Sequence, residues 1–186
     1  AALLDDVERF DAAFFDIAPR EATHMDPQQR LFLEVAWQAL EDSGQTRAQL
    51  AGSSTGVFVG VHNHSSGYLE LQTTDPSCLN EYTALGTGHD VIPGRLAYFL
   101  DLRGPSAAIN TACSSSLVAV HLACQSLQSR DCRMAVVGGV NLILGPVQTK
   151  ITALGAMLAD DGRCKTFDAR ADGYGRGEGC GVVVLK

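Results

Sequence analysis

Basic residues are scarce in this sequence. Only 14 lysines and arginines stand against 21 aspartates and glutamates, a formal net charge of −7 at pH 7. Phosphate contacts need clustered Lys and Arg, so this balance excludes a general nucleic-acid binder. Long apolar runs are missing too: no stretch reaches the roughly 18 residues that a membrane-spanning helix needs. The opening "AALLDDVERFDAAFF" has no initiating Met, basic n-region or cleavage-site pattern, so a cytoplasmic location is expected. The cysteines at 78, 113, 124, 132, 164 and 180 form no C-x-x-C pair and show no Cys/His ligand spacing. That argues against a zinc site and a disulfide framework, and for reduced thiols. Asn63-His64-Ser65 fits the glycosylation sequon, but without a secretory signal it reads as chance.

What is present suits a folded core. Of 186 residues, 46% are hydrophobic and 19% charged, a composition for one domain or a large piece of one. In "MDPQQRLFLEVAWQALEDSG", Asp26 is a good N-cap, Pro27 fits the first helical position and Gln29 has capping-box spacing. Leu33, Trp37 and Leu40 recur at helical period beside Ala36, and Gly44 follows as a stop. "TGVFVGV" (55–61) reads as a strand, 62–87 as loops with short helix, and "VIPGRLAYFLD" as a helix with Pro93 in its first turn. "GPSAAINTA", "RMAVVGGVNLIL" and "GCGVVVLK" read as further strands. Strands alternating with helices predict a layered α/β architecture. No strand precedes the first helix and the sequence stops inside a strand, so both ends are expected to be truncated.

"NTACSSSLVAVHLACQSL" (110–127) sets one thiol among small residues where a strand turns into a helix. Leu117, Val118, Val120, Leu122, Cys124 and Leu127 leave that helix little polar face, so it is expected to be buried on most sides. Two readings of Cys113 compete. It is a small core residue, as free Cys often is, or a nucleophile held at the start of a helix. There, partial positive charge favours a thiolate and backbone N–H groups can hold an oxyanion. A sharp strand-to-helix turn requires small neighbours, and Ala112, Ser114, Ser115 and Ser116 supply them. Cys124, inside the apolar helix, has the core reading.

The chain resembles the N-terminal portion of a β-ketoacyl synthase (ketosynthase) domain of a type I modular polyketide synthase. "TACSSSLVAVHLACQSL" is similar to that family's nucleophile segment. "FDAAFFDIAPREATHMDPQQRLFLEVAWQALEDSG", "TGVFVGV", "GRLAYFLDLRGPS" and "DGRCKTFDARADGYGRGEGCGVVVLK" match its other blocks in order, leaving 62–86 as the weaker stretch. The resemblance implies a thiolase-like fold of stacked αβαβα layers, of which residues 1–186 are the N-terminal half that carries the nucleophilic cysteine. It implies that Cys113 takes an acyl chain as a thioester, with its backbone N–H an oxyanion donor. A malonyl-type extender on acyl carrier protein then loses CO₂ and condenses with that thioester, in polyketide or fatty acid biosynthesis. No cofactor or metal is expected on the chain itself; substrates ride on the phosphopantetheine of acyl carrier protein. The implied partners are that carrier, the acyltransferase and other domains of the same synthase, and a second copy in a homodimer, with the strand before Cys113 near the dyad. Cut from the rest of the fold, the fragment is expected to be inactive and poorly stable, with one face of its sheet left uncovered as a large apolar patch.

Some family features are missing or altered. The two histidines of the family lie in H-G-T-G-T and K-x-N-x-G-H segments, neither of which occurs here; His24, His62, His64, His89 and His121 match neither. His121 lies eight residues after Cys113, about 12 Å along a helix, which suits packing or a polar contact rather than catalysis. Asn110 stands where the family has aspartate, Pro93 where small residues are common, and Asp160 where proline is common. A ketosynthase-like module that binds acyl carrier protein without condensing anything is the alternative. A thiol protease would need a His and an orienting Asn or Asp that the surrounding blocks do not offer. "GYGRGEGCG" (173–181) precedes a strand, so it reads as a close backbone approach rather than a phosphate loop. Asp160-Asp161-Gly162 reads as a solvated turn and Glu41-Asp42 as an exposed face.

Overall fold

The computed structural model describes residues 1–62 and 67–186; the Asn63-His64-Ser65 sequon lies outside them. In chain order the helices are α1 (Pro19–Ala22), α2 (Pro27–Asp42), α3 (Arg47–Leu50), α4 (Tyr68–Thr73), α5 (Thr83–Thr87), α6 (Val91–Leu100), α7 (Ser115–Gln128) and α8 (Val147–Leu154). The strands are β1 (Thr55–Val61), β2 (Ser106–Ile109), β3 (Met134–Asn141) and β4 (Gly179–Leu185).

They form one sheet in the order β2-β1-β3-β4. β1 pairs in parallel with β2 and β3, while β4 runs antiparallel to β3. Successive side chains on a strand point to opposite faces, and the sequence uses both. Val57, Val59, Val61, Val136 and Val140 pack with Phe32, Leu33, Leu40, Ile92 and Leu96 from α2 and α6. Phe58, Ala135 and Val137 pack with Ala119 and Ala123 of α7 on the other face. The result is three layers: α2 and α6, the sheet, then α7. Helices pack on both faces of the sheet, so the uncovered apolar sheet face expected from the sequence is not found among the described residues. Exposed apolar side chains such as Leu117 and Leu154 lie on helices instead.

The signals read for α2 largely hold. Asp26 accepts the Gln28 N–H at 2.8 Å and Pro27 opens the helix. Gly44, at φ 71°, ends it, with Gln45 N–H returning to the Leu40 carbonyl and Gly44 N–H to that of Glu41. This is a Schellman stop, which requires a left-handed residue after the C-cap. The capping-box role of Gln29 does not hold. Its side chain is fully buried, with Nε2 2.8–2.9 Å from the carbonyls of Leu85, Gly86 and Gly88, and Oε1 accepting from Arg95 Nε at 2.7 Å. Arg95 in turn meets Glu21 at 2.6 Å. A partly buried cation and three backbone acceptors outcompete a local cap.

The burial expected of α7 is also corrected. Only Ser115, Ala119, Ala123 and Ser126 are buried, a small-residue stripe at helical period. Leu117 is 75% exposed, Leu122 and His121 are exposed, and Cys124 is half-buried rather than in the core. The sheet selects the small stripe because Gly60 of β1 and Gly139 of β3 admit the helix at very short range. The larger side chains must then face outward.

Candidate active site

β2 ends at Ile109 and α7 begins at Ser115, so five residues make the turn between them. Ala112 adopts φ 55°, a left-handed conformation that costs an L-residue about 1–2 kcal/mol. Hydrogen bonds on both sides hold it there. Asn110 Oδ1 accepts the Ala112 N–H at 3.2 Å, so the asparagine standing in place of aspartate still anchors the turn. Ser115 Oγ accepts the Thr111 N–H at 2.9 Å and donates to the Ala112 carbonyl at 2.6 Å. Ser114 Oγ donates to the Thr111 carbonyl at 2.8 Å and lies 2.9 Å from Thr111 Oγ1. Two of the three serines are therefore structural ties. Backbone strain over-determined in this way clusters at functional sites.

Cys113 stands on this turn, exposed, two residues ahead of the first residue of α7. Among the described residues, no acceptor is bonded to its backbone N–H. The crowding read from the sequence is real: a Cβ on Gly60 would lie 2.5 Å from Ser116 N, and one on Gly139 2.9 Å from Ser116 Cβ.

Cys113 opens onto a cleft of about 950 Å³. His62, at the end of β1, lines this cleft with Met157, Tyr174, Arg176 and Glu178. Sequence reasoning assigned His62 no role; only the strand order, which sets β1 beside β2, carries it to Cys113. The glycine-rich run 173–181 forms one wall. The close approach expected of its glycines holds at Gly173 and Gly175, where a Cβ would collide with the backbone of Leu158–Ala159 and with the Gly162 carbonyl oxygen. It does not hold at Gly179 and Gly181, where a Cβ would meet nothing within 4 Å.

The other cysteines differ. Cys132 is buried, 3.3 Å from Ser126 Oγ. Burial pushes the Cys180 thiol up to about 12, so it stays protonated at neutral pH. Cys164 is exposed and accepts the Gly175 N–H at 3.3 Å, while Cys78 is exposed in a short 3-10 turn, away from the cleft lining. Two other histidines serve structure. His89 sits 3.3 Å from Asp26 Oδ2 and 3.2 Å from Gln28 Nε2, and His24 meets Asn80 Nδ2 at 2.7 Å. Asp161 accepts from Lys165 Nζ at 2.8 Å, which holds its carboxyl below the usual range, so the Asp160–Gly162 turn is satisfied by an ammonium. No group of side chains able to hold a metal ion occurs among the described residues. None of their helices is long and apolar enough to cross a membrane.

Comparison with known proteins gives the geometry its family. The model of the β-ketoacyl synthase N-terminal domain matches residues 1–186. The chain is 51% identical over 183 residues to the 6-methylsalicylic acid synthase of Aspergillus niger, covering 98% of this chain and 10% of that one. It is 54% identical over 179 residues to a phenolphthiocerol/phthiocerol polyketide synthase of Mycobacterium tuberculosis, covering 96% and 8%. A solved ketosynthase from module 6 of the bacillaene synthase of Bacillus subtilis 168 superposes with a TM-score of 0.85 at 42% identity, covering 98% of this chain and 31% of that one. The chain thus spans about a tenth of these curated relatives and about a third of the solved domain. With its thiolase-like sheet and its turn-borne cysteine, this chain belongs to the β-ketoacyl synthase family, as a portion of the ketosynthase domains of polyketide synthases.

Proposed function

We propose that residues 1–186 are the nucleophile-bearing part of a condensing domain and that Cys113 carries the growing acyl chain. The single observation behind this reading is the placement of Cys113. It is exposed on a strained turn before α7, at the mouth of a cleft large enough for a substrate.

In the first half-reaction the Cys113 thiolate attacks the carbonyl of an acyl thioester on the phosphopantetheine of acyl carrier protein. The Cys113 N–H receives the oxyanion that forms. The pantetheine sulfur leaves, takes up a proton, and the acyl group remains on Cys113 as a thioester. In the second half-reaction a malonyl-type extender loses CO₂, and the electron pair of the broken C–C bond becomes the attacking carbanion. It adds to the Cys113 thioester, and Cys113 departs as thiolate. The product is a β-ketoacyl thioester longer by one extender unit. Acyl carrier protein and the acyltransferase of the same synthase are the proposed partners. β2 lies at one edge of the sheet, just ahead of the Cys113 turn, and an open edge of this kind is what a second copy can pair with.

The test is acylation by an acyl thioester in the complete protein, followed by peptide mass mapping. Cys113 is expected to take the acyl group alone among the six thiols, and Cys113→Ala to abolish the modification. Acylation that survives Cys113→Ala sinks the proposal.

A further inference from the structure

Glycines line one wall of the cleft at 175, 177, 179 and 181, and none carries a side chain that fixes its position. Glu178, within that wall, bridges two other parts of the chain. Its Oε1 accepts the Ile143 N–H at 2.7 Å and its Oε2 accepts the Leu4 N–H at 2.8 Å. Its own N–H donates to the Ala2 carbonyl at 2.9 Å, and the Ala2 N–H returns to the Arg176 carbonyl at 3.1 Å. Asn141 Nδ2 adds a bond to the Gly177 carbonyl at 2.8 Å, and Arg176 reaches Thr149 Oγ1 of α8. A carboxylate that accepts two backbone N–H groups makes two charge-assisted bonds, among the stronger ties available.

We infer that Glu178 is a positioning residue: by tying the glycine-rich wall to Leu4 and Ile143 it sets the shape of the cleft before Cys113, and with it which acyl groups that thiol accepts. The inference rests on the proposed acylation of Cys113. The wall and the sulfur line the same cleft, and a glycine-rich backbone released from its anchors samples several conformations. A displacement of about 1 Å in a group that positions substrate can change a rate by about a hundredfold.

The experiment compares the complete protein with its Glu178→Gln and Glu178→Ala variants. Single-turnover acylation of Cys113 is measured with a panel of N-acetylcysteamine thioesters, from acetyl to long-chain and branched acyl groups. Glutamine keeps one acceptor and sets an amide N–H against a backbone N–H. Alanine removes both acceptors. The readout is discrimination, the ratio of best to worst substrate, with thermal unfolding recorded beside it. Positioning predicts that discrimination falls about tenfold in Glu178→Gln. A purely structural role would reduce the folded fraction and scale all substrates together. Discrimination within about twofold of the parent therefore overturns the inference. Should Glu178→Ala not fold, Glu178→Gln decides the matter by itself. A parent protein that leaves Cys113 unmodified by every thioester would instead refute the acylation reading.

Discussion

A Cβ placed on Gly60 would lie 2.5 Å from the backbone nitrogen of Ser116 and 2.7 Å from the Ser115 carbonyl carbon. The strand therefore touches the first turn of α7 backbone to backbone, just behind Cys113. Gly60→Ala must push the helix away from the sheet. We expect a loss of about 1–3 kcal/mol in stability, measured by urea unfolding, and slower acylation of Cys113. Gly94, within α6, is the control: an added Cβ meets nothing within 4 Å. Gly94→Ala should stabilise by about 0.5–1 kcal/mol through helix propensity.

Gln29 supplies a second prediction. Gln29→Leu keeps the volume but leaves Arg95 Nε and the carbonyls of Leu85, Gly86 and Gly88 without their shared partner. We expect destabilisation of at least about 2 kcal/mol by urea unfolding. An effect below about 0.5 kcal/mol would mean that water replaces the amide at no cost.

The third concerns pH. Cys180 titrates near 9 when unfolded and is pushed up to about 12 by burial. Its folded pKa is raised, so its contribution is intact below pH 9 and is lost as pH rises toward 12, where the unfolded chain has already ionised. After discounting for residual exposure, the slope is about 1 kcal/mol per pH unit. Buried Tyr68, also raised, adds a slope in the same alkaline direction. Comparing the parent with Cys180→Ala at pH 8 and pH 10.5 separates the two, and the variant should show the shallower loss.

The fourth concerns the uncovered helix faces. Leu117 and Leu154 are 75% and 89% exposed, and Ile151 is 53% exposed. Expressed alone, the 186-residue chain should bind an apolar dye such as anilinonaphthalene sulfonate. Leu117→Glu with Leu154→Glu should remove most of that fluorescence. A chain that stays dark and unfolds cooperatively would contradict this picture.

Local signals were legible in the sequence and distant ones were not. Asp26, Pro27 and Gly44 marked the ends of α2 because capping is chemistry within a few residues. The strands at 55–61 and 179–185 were legible from their β-branched runs. Gln29 misled because its partners lie 56 to 66 residues away, where no short-range rule reaches. The apolar composition of α7 hid which side met the sheet. That choice was made by Gly60 and Gly139 on other elements, which admit only small residues. Cys113 was legible as a turn-borne thiol from its small neighbours, whereas His62 entered the cleft only through strand order. Glu178 had one faint signal, a lone carboxylate between glycines ahead of a strand.

The bond from Leu4 to Glu178 joins residues 174 apart. During synthesis the ribosome must therefore deliver nearly the entire segment before this clasp can close. Contacts between such remote partners carry a large closure entropy and tend to form late. The strained cysteine turn and the strands β1, β2 and β3 can assemble earlier, from partners nearer in sequence. A nascent chain would thus carry Cys113 on its turn before the glycine-rich wall of the cleft is anchored, an interval that slow translation would prolong.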